Sequence, residues 1–248
     1  MKRIGLTIAA SFVVFTIVLA FNLPAAWVRS FLPAAVNCGQ LSGSVWRGSC
    51  APLTLQGSLP IGTLTWDLSP WRVVTGKLVG PVNLARGELA VSAVLALGLS
   101  GDSEISALTA RLPLDAAVLP IVPANIRGSM TLDFSKLVLS DGKPIELHGV
   151  VEGRNLREVG ARPMALGSYS LTFDGPAAAD GSLTGQLVDL GGPLAVRGTV
   201  RLTMPSGYLI QGTAAARAQA PPQLQRQLEI LGPADADGMR QFALEGTY

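Results

Sequence analysis

The chain has one histidine, His148, and the residues around it decide what chemistry the imidazole can do. His148 lies in a predicted strand over residues 145–151, and period-two alternation places Glu146, Val150 and Glu152 on the same face. An imidazole between two carboxylates can bind a metal ion weakly. One histidine and two isolated carboxylates fill no standard metal site, so we interpret this face as a solvated strand surface with cross-strand pairs.

Two aspartates near the C-terminus have the spacing of calcium ligands. Asp235 and Asp237 begin like a calcium loop, but the later loop ligands do not follow. We therefore interpret the pair as an acidic turn before the last strand. The sequence contains no Gly-x-Ser-x-Gly elbow, phosphate loop or dinucleotide fingerprint, and Gly191-Gly192 is typical of a turn. These observations predict a protein that is not an enzyme, with no catalytic residue, metal or cofactor.

The charge balance argues against nucleic acid as a partner. The formal net charge is +2, and it comes from Lys2 and Arg3, because basic and acidic residues balance over the rest of the chain. A nucleic-acid surface needs clustered cations, commonly with interleaved aromatic rings. The arginines of this chain are scattered among apolar residues instead, at Arg47, Arg72, Arg86, Arg197 and Arg201.

The two cysteines, Cys38 and Cys50, would close a short loop. In an oxidising compartment such a pair commonly forms a disulfide. Loop-closure entropy gives a bridge over a loop of this length a stabilising effect of about 3 kcal/mol. The alternative is two buried free thiols. Neither cysteine has a histidine nearby in sequence, which argues against a metal site or thiol catalysis.

Three tryptophans, Trp46, Trp66 and Trp71, follow the cysteines closely in sequence. Buried tryptophan is ordinarily part of a core, and one interpretation is a small core packed against the candidate disulfide. The functional alternative is an exposed aromatic contact for a partner domain. We therefore treat the three residues as a candidate contact or structural motif.

The N-terminal segment has the composition of a membrane span. Residues 4–21 contain no charge, proline, asparagine or glutamine, and the uncharged run continues to Val28. A transmembrane helix needs about 20 apolar residues. Lys2 and Arg3 precede the run, so the positive-inside rule places the N-terminus in the cytoplasm. The alternative is a signal peptide cleaved after residues 18–20.

The predicted boundaries follow from this run. We expect a cytoplasmic tip over residues 1–3, a transmembrane signal anchor over residues 4–28 and an exported β domain over residues 29–248. Trp27 and Arg29 would lie at the far interface, where an aromatic ring and a snorkelling cation are both favoured. No second run in the sequence reaches membrane length, so we predict a single-pass protein.

Glycine and proline punctuate the remaining sequence. The chain of 248 residues has 28 Gly and 17 Pro, which favours many short strands over long helices. Only 15% of the residues are charged, which excludes a disordered chain. We predict a mainly β fold: a single N-terminal transmembrane helix, then one antiparallel, curved β-sheet domain in meander order with one short C-terminal helix. Alternating runs lie at 63–68, 89–99, 168–174, 194–203 and 241–245, with Gly-rich turns at 100–102, 140–142, 179–181, 205–207 and 237–238.

The short helix is predicted near the C-terminus. Two prolines at residues 221–222 open it, and Gly-Pro at residues 232–233 closes it. Leu224, Leu228 and Leu231 are spaced at i, i+4 and i+7, which places them on one face of a helix.

A set of short motifs follows the basic tip and the apolar run in a fixed order. Residues 41–48 read LSGSVWRG, residues 64–71 read LTWDLSPW with Gly76 downstream, and residues 228–233 read LEILGP before Asp-Gly at 237–238. In this order they resemble the type II secretion system protein N family, an accessory inner-membrane component of the general secretion pathway. The motifs place tryptophan and glycine at strand and turn positions and contain no catalytic signature.

The resemblance implies a non-catalytic accessory or scaffold component of the inner-membrane platform in type II secretion. It implies a single-pass protein of the cell inner membrane, with the domain after the anchor in the periplasm. The implied partners are other membrane components of the secretion system, with the outer-membrane secretin as a further candidate. In that setting an exposed strand edge could add a strand from a partner.

The apolar sheet faces leave a second function open. A sheet must cover its apolar face by closing on itself, by packing on a second sheet or by receiving something apolar. The repeated strand pattern is similar to AsmA-like envelope proteins, which build apolar β-troughs. The alternative function is therefore a periplasmic binder or carrier of a lipid or another apolar ligand.

Overall fold

The computed structural model describes residues 11–12, 15–16, 18–19, 21–31, 36–55, 59–98, 101–116, 122–161, 163–203 and 207–247. These residues form thirteen β-strands, the α-helix α1 (Pro222–Glu229) and the 3-10 helices Ala25–Phe31 and Pro70–Thr75. The predicted mainly β fold with a short C-terminal helix is therefore confirmed.

The chain divides into two compact units. The first contains Met1–Gly87 and Val94–Leu99, and the second contains Glu88–Ala93 and Ser100–Tyr248. The fifth strand, β5 (Leu89–Gly98), contributes residues to both units.

The remaining strands of the first unit are antiparallel neighbours in chain order. Cross-strand pairing places Gly48 opposite Trp66 and Leu41 opposite Cys50. The strands are β1 (Val36–Gly43), β2 (Arg47–Leu55), β3 (Leu59–Asp67) and β4 (Lys77–Arg86).

The strands of the second unit are also antiparallel neighbours in chain order, and from β6 to β13 each is hydrogen-bonded to the next. The predicted turns at 140–142, 179–181 and 237–238 join consecutive strands or lead into the last one, while those at 100–102 and 205–207 fall partly outside the described residues. The strands are β6 (Asp102–Leu114), β7 (Ile126–Ser140), β8 (Lys143–Glu158), β9 (Met164–Pro176), β10 (Leu183–Asp189), β11 (Leu194–Thr203), β12 (Gly207–Ala216) and β13 (Arg240–Thr247).

The central strands of this unit are longer than the alternation predicts. The predicted strand over residues 145–151 is the middle of β8, which has 16 residues. The β7–β8 pairing is interrupted by register shifts, including one between the pairs of Phe134 and Lys136. Such irregularities break the period-two pattern while the strand continues, so the sequence alone shows only a part of it.

Small apolar clusters hold the second unit together. Phe134, Leu147, Phe173 and Leu183 form one cluster. Gly149 lies opposite Phe134 with a φ of 154°, and a Cβ there would clash with the Phe134 ring and backbone. Glycine is therefore required for this strand pair to pack around the ring.

Helix α1 packs through two of the three predicted leucines. Leu224 and Leu228 are buried in neighbouring clusters, whereas Leu231 is 39% exposed. Leu231 lies beyond the end of the helix at Glu229. The N–H of Leu231 donates to the carbonyl of Leu228 at 3.0 Å, an i to i−3 bond of the kind that tightens a helix end.

Residues 4–10, 13, 14, 17 and 20 of the predicted anchor over residues 4–28 lie outside the described residues. The described residues up to Phe21 are helical, and the chain leaves the helix at Asn22. Pro24 then forms an antiparallel bridge with Ser44, and Ala25 is buried against the strands. Proline disfavours helical conformation in the residue before it, which accounts for the break. Within the described ranges, no helix combines the length and the apolar character that a membrane span requires.

Candidate functional site

A compact cluster in the first unit contains the two cysteines and one of the tryptophans. Cys38, Cys50, Leu53 and Trp66 are buried together with Ala25, and we call this cluster the tryptophan–disulfide core. Cys38 and Cys50 are joined by a disulfide with a Cα–Cα distance of 5.7 Å. The cluster thus links β1, β2 and β3 to the 3-10 helix that follows the N-terminal segment.

The position of Trp66 depends on its neighbours in the two tryptophan motifs. Its indole N–H donates to the carbonyl of Val45 at 3.0 Å, which satisfies the polar atom of an otherwise apolar ring. A Cβ at Gly48 would clash with the ring, so the glycine of LSGSVWRG lets the indole lie against the strand. At the same edge Arg47 donates to Oδ2 of Asp67 from Nε at 3.0 Å and from Nη2 at 2.7 Å.

Trp46 and Trp71 occupy a different place from Trp66. Both rings lie near Phe21, the last described helical residue of the N-terminal segment. The ring centroid of Phe21 is 6.4 Å from that of Trp46 and 5.3 Å from that of Trp71. Trp71 is 72% exposed, whereas Trp66 is 7% exposed. The three tryptophans therefore divide between the two interpretations, with Trp66 in the core and Trp71 at the surface.

The single histidine lies in a row of charged side chains on the second unit. Nε2 of His148 is 3.0 Å from Oε1 of Glu146, and its Nδ1 is 2.9 Å from Oδ1 of Asp174. The other carboxylate oxygen of Glu146 accepts from Nζ of Lys136 at 2.8 Å. We call these four residues, on β7, β8 and β9, the histidine ladder.

The sequence predicts only half of this ladder. Glu146 is beside His148 as expected, but Glu152 instead pairs with Arg154 at 2.7 Å. Lys136 and Asp174 are the cross-strand partners of His148 in β7 and β9. Their proximity depends on the strand register, which residue types alone do not specify, so no sequence signal could have found them.

The ladder favours a charged imidazole. The hydrogen bonds that the ring makes to Asp174 and, to a smaller extent, to Glu146 raise the pKa of His148 above its usual value. The bond with Lys136 lowers the pKa of Glu146 and raises that of Lys136. Both ring nitrogens face carboxylates, which favours the protonated imidazole over the neutral form. Among the residues that the structure describes, no group of three or more histidines, cysteines or acidic side chains is arranged to hold a metal ion.

A more buried charge pair lies at the predicted Gly191-Gly192 turn. The Asp189 side chain is only 10% exposed and pairs with Arg217 at 2.5 Å. Its carboxylate also accepts from the backbone N–H groups of Val196 and Gly191 at 3.0 and 3.1 Å. Burial raises the pKa of Asp189, but these N–H groups and Arg217 outweigh it and hold the pKa below its usual value. The pair fixes the turn, and the sequence analysis did not identify it.

The other candidate ligands have structural contacts. Oδ1 of Asp235 accepts from the backbone N–H of Asp237 at 3.0 Å and from that of Met239 at 2.8 Å, as expected of a turn. Arg201 pairs with Asp180, and Arg86 donates to the carbonyl of Pro60. These contacts account for local structure.

Among the residues that the structure describes, the first and last strands each have one edge without a paired strand. Within the described ranges, β1 pairs only with β2 and β13 only with β12. Most of the side chains of β13 are exposed, and Leu244 on it is 56% exposed. Strand β13 contains no lysine or proline, and its pairing with β12 shows no register shift. Proline and a bulge, two of the usual devices that block strand addition at an edge, are therefore missing from β13, which carries the charged residues Arg240 and Glu245.

Comparison with known proteins gives one consistent family. The family model described as "Type II secretion system (T2SS), protein N" matches residues 34–243. A similar protein is "Type II secretion system protein N" from Aeromonas hydrophila, which is 25% identical over 256 residues and covers 99% of each chain. No solved structure matches the chain significantly.

Proposed function

Because the chain belongs to the type II secretion system protein N family, we propose that it is a non-catalytic scaffold for that system at the inner membrane. Family membership gives the chain a role in type II secretion and an association with other components of the system. The proposal adds a cytoplasmic tip over residues 1–3, a single-pass anchor over the apolar run of residues 4–21 and a periplasmic location for the β domain, which includes the bridge between Pro24 and Ser44.

The observation that carries the scaffold proposal is the open edge of β13. An edge strand presents a row of unpaired backbone N–H and C=O groups, to which an extended segment of another protein can add. Leu244 lies on this edge opposite Ile210 of β12 and is 56% exposed. A partner strand would cover this side chain and pair the backbone, which is a binding mode that needs no catalytic group. The partners we propose are other membrane components of the secretion system, and the outer-membrane secretin is a further candidate.

The anchor would strengthen such a contact. Lys2 and Arg3 precede the apolar run of residues 4–21, an order that favours a cytoplasmic N-terminus. Two proteins held in one membrane meet at a high effective concentration, so a weak strand-to-strand contact becomes populated. The strand that would make this contact, β13, has eight residues.

A second candidate function is binding of a lipid or another apolar ligand. It is favoured by the partial burial of the apolar side chains around the Phe134 cluster, which include Leu132, Val151 and Leu171. An apolar face that is incompletely covered can receive an acyl chain. Extraction of lipid from the purified full chain distinguishes this function, because a scaffold without a ligand site carries no stoichiometric lipid.

The scaffold proposal is tested with Leu244→Lys, since a lysine on an edge strand blocks strand addition. Ile230→Lys is the matched control, because Ile230 is 85% exposed in the turn after α1 and lies off the edge. In a strain lacking its own copy, Leu244→Lys should lose co-purification with secretion components and fail to restore secretion. The control should retain both, and both variants should melt like the wild type.

Two results contradict the proposal. If Leu244→Lys restores secretion and still co-purifies with the partners, β13 is not the contact. The anchor is tested separately by the mass of the mature protein and by a reporter enzyme fused after Tyr248. A mature N-terminus at Phe21, which means cleavage of the apolar run, would reject the anchor while leaving the edge contact intact.

A further inference from the structure

The 3-10 helix Pro70–Thr75 presents apolar side chains to the surface. None of its residues is buried, and Trp71, Val73 and Val74 are 72%, 40% and 86% exposed. Single exposed apolar side chains are common, but three within one turn are typical of an interaction surface.

This turn is a firmly held part of the first unit. Pro70 starts it, and Gly76 ends it in the left-handed conformation with a φ of 75°. The N–H of Gly76 donates to the carbonyl of Val73 at 2.9 Å, and the N–H of Ser69 donates to that of Val79 on β4 at 2.8 Å. The apolar side chains are therefore displayed by a fixed backbone.

The contact between Trp71 and Phe21 shows that the turn over residues 70–75 lies beside the end of the N-terminal segment. The two ring centroids are 5.3 Å apart. Phe21 is the last residue of the apolar run over residues 4–21, so the turn lies beside the point where that run ends. If the run spans the membrane, the turn lies at the membrane surface on the side of the β-strands. This step rests on the anchor in the proposed function.

We propose that the turn over residues 70–75 is a second membrane contact, inserted into the periplasmic leaflet of anionic phospholipid. Tryptophan is favoured at the boundary between headgroups and acyl chains, where Trp71 would lie. Val73 and Val74 reach the apolar side of that boundary. Arg72 and Lys77 bring positive charge to the lipid phosphates.

The charge around the turn fits this occupant. The nearest preceding acidic residue in sequence, Asp67, is paired with Arg47 at 2.7 Å. The next acidic residue along the chain is Glu88, so the segment from 68 to 87 carries only positive charge. A surface that combines exposed tryptophan, valine and cations has the composition of a contact with an anionic lipid interface.

The contact is tested with the full chain in vesicles of phosphatidylcholine and phosphatidylglycerol whose acyl chains carry bromine. Trp27→Phe together with Trp46→Phe leaves Trp71 and the buried Trp66 as the emitting residues. Bromine quenches a nearby indole, so this variant should lose about twofold more emission than one that also carries Trp71→Phe. The second variant retains only Trp66 and is the matched control.

Flotation of the same vesicles separates this inference from the anchor. If the chain floats with the vesicles and Trp71 is not quenched more than the control, the turn does not insert and the inference is wrong while the anchor stands. If the chain does not float, the anchor itself is wrong. A photo-crosslinking residue placed at Val74 in cells gives a second readout. A lipid adduct supports the membrane contact, and a protein adduct without a lipid adduct overturns it.

Discussion

The tryptophan–disulfide core and the histidine ladder are both built across neighbouring antiparallel strands, but they differ in what holds them. In the core, Cys50 is 1% exposed and Trp66 is 7% exposed, and a covalent bond joins two strands. In the ladder, the side chain of His148 is 32% exposed and that of Asp174 is 86% exposed. Solvent screens such charge pairs, so the ladder contributes far less to folding than the core does.

The difference shows where the residues of the family motifs act. Trp66 and Gly48 belong to the two tryptophan motifs, and both lie in or against the core. His148 is the one histidine of the chain, and histidine is a common catalytic or metal-binding residue. It lies in a solvated row of ion pairs. In this protein, the burial of a side chain therefore indicates its contribution to folding better than the rarity of its residue type in the sequence does.

The largest expected effect comes from breaking the core at Trp66. Trp66→Ala should lower the free energy of unfolding by about 3–5 kcal/mol, because it leaves a cavity and removes a buried aromatic ring. Trp66→Phe keeps an aromatic ring in the core but loses the hydrogen bond to Val45. Loss of that bond should lower the free energy of unfolding by about 1 kcal/mol, in addition to the effect of the smaller ring. Chemical denaturation of the full chain in detergent measures both. Equal losses for the two variants would show that the ring volume is not what matters.

The disulfide should have the next largest effect. Cys38 and Cys50 are 12 residues apart, and a bridge over such a loop contributes about 3 kcal/mol through the entropy of the unfolded chain. Thiol labelling of the denatured, unreduced protein should find no free cysteine, and reduction should lower the melting temperature. The variant with both cysteines replaced by alanine is the control, since a reductant should not change its melting. Full labelling without reductant would reject the bridge.

The smallest effect is expected at His148. Replacement by glutamine, which carries no charge, should shift the melting temperature by only about 1–2 °C, as surface substitutions do. The effect of this replacement on the melting temperature should, however, depend on pH. The folded-state pKa of His148 is raised, so its contribution is fully present below the unfolded-state value of about 6.5 and is lost as the pH rises through the raised pKa.

The difference in melting between wild type and His148→Gln should therefore be larger at about pH 5.5 than at about pH 8.5. Since His148 is the one histidine of the chain, its ring proton signal gives the pKa directly by NMR titration. Asp174→Asn should lower that pKa, because the bond to Asp174 is the main cause of the shift. An unchanged pKa in Asp174→Asn would show that the ladder does not form in solution.

The sequence predicts the fold better than it predicts the contacts. Alternation and Gly-rich turns predict the antiparallel meander, and Leu224 and Leu228 predict the buried face of α1. Both patterns are local, so they can be read directly from the chain. The division of β5 between two units involves contacts distant in sequence, and no local pattern indicates it.

The contacts that escape prediction all depend on register or on distant packing. Asp174 meets His148 only because β9 pairs with β8 in one particular alignment. Arg217 reaches Asp189 across 28 positions in sequence, and Phe21 meets Trp71 across an even greater separation. A shift of one residue in register would reverse the faces and remove such pairs.

The chain-order pairing of the strands has a consequence for how the protein is made. Within each unit every strand pairs with its neighbours in sequence, so each hairpin closes over a short stretch of chain. Low contact order of this kind favours fast folding. For a chain exported after its N-terminal anchor, as we propose for this one, β1 would leave the translocation channel first. Within each unit, every later strand could then pair with the strand before it as it emerges from the channel.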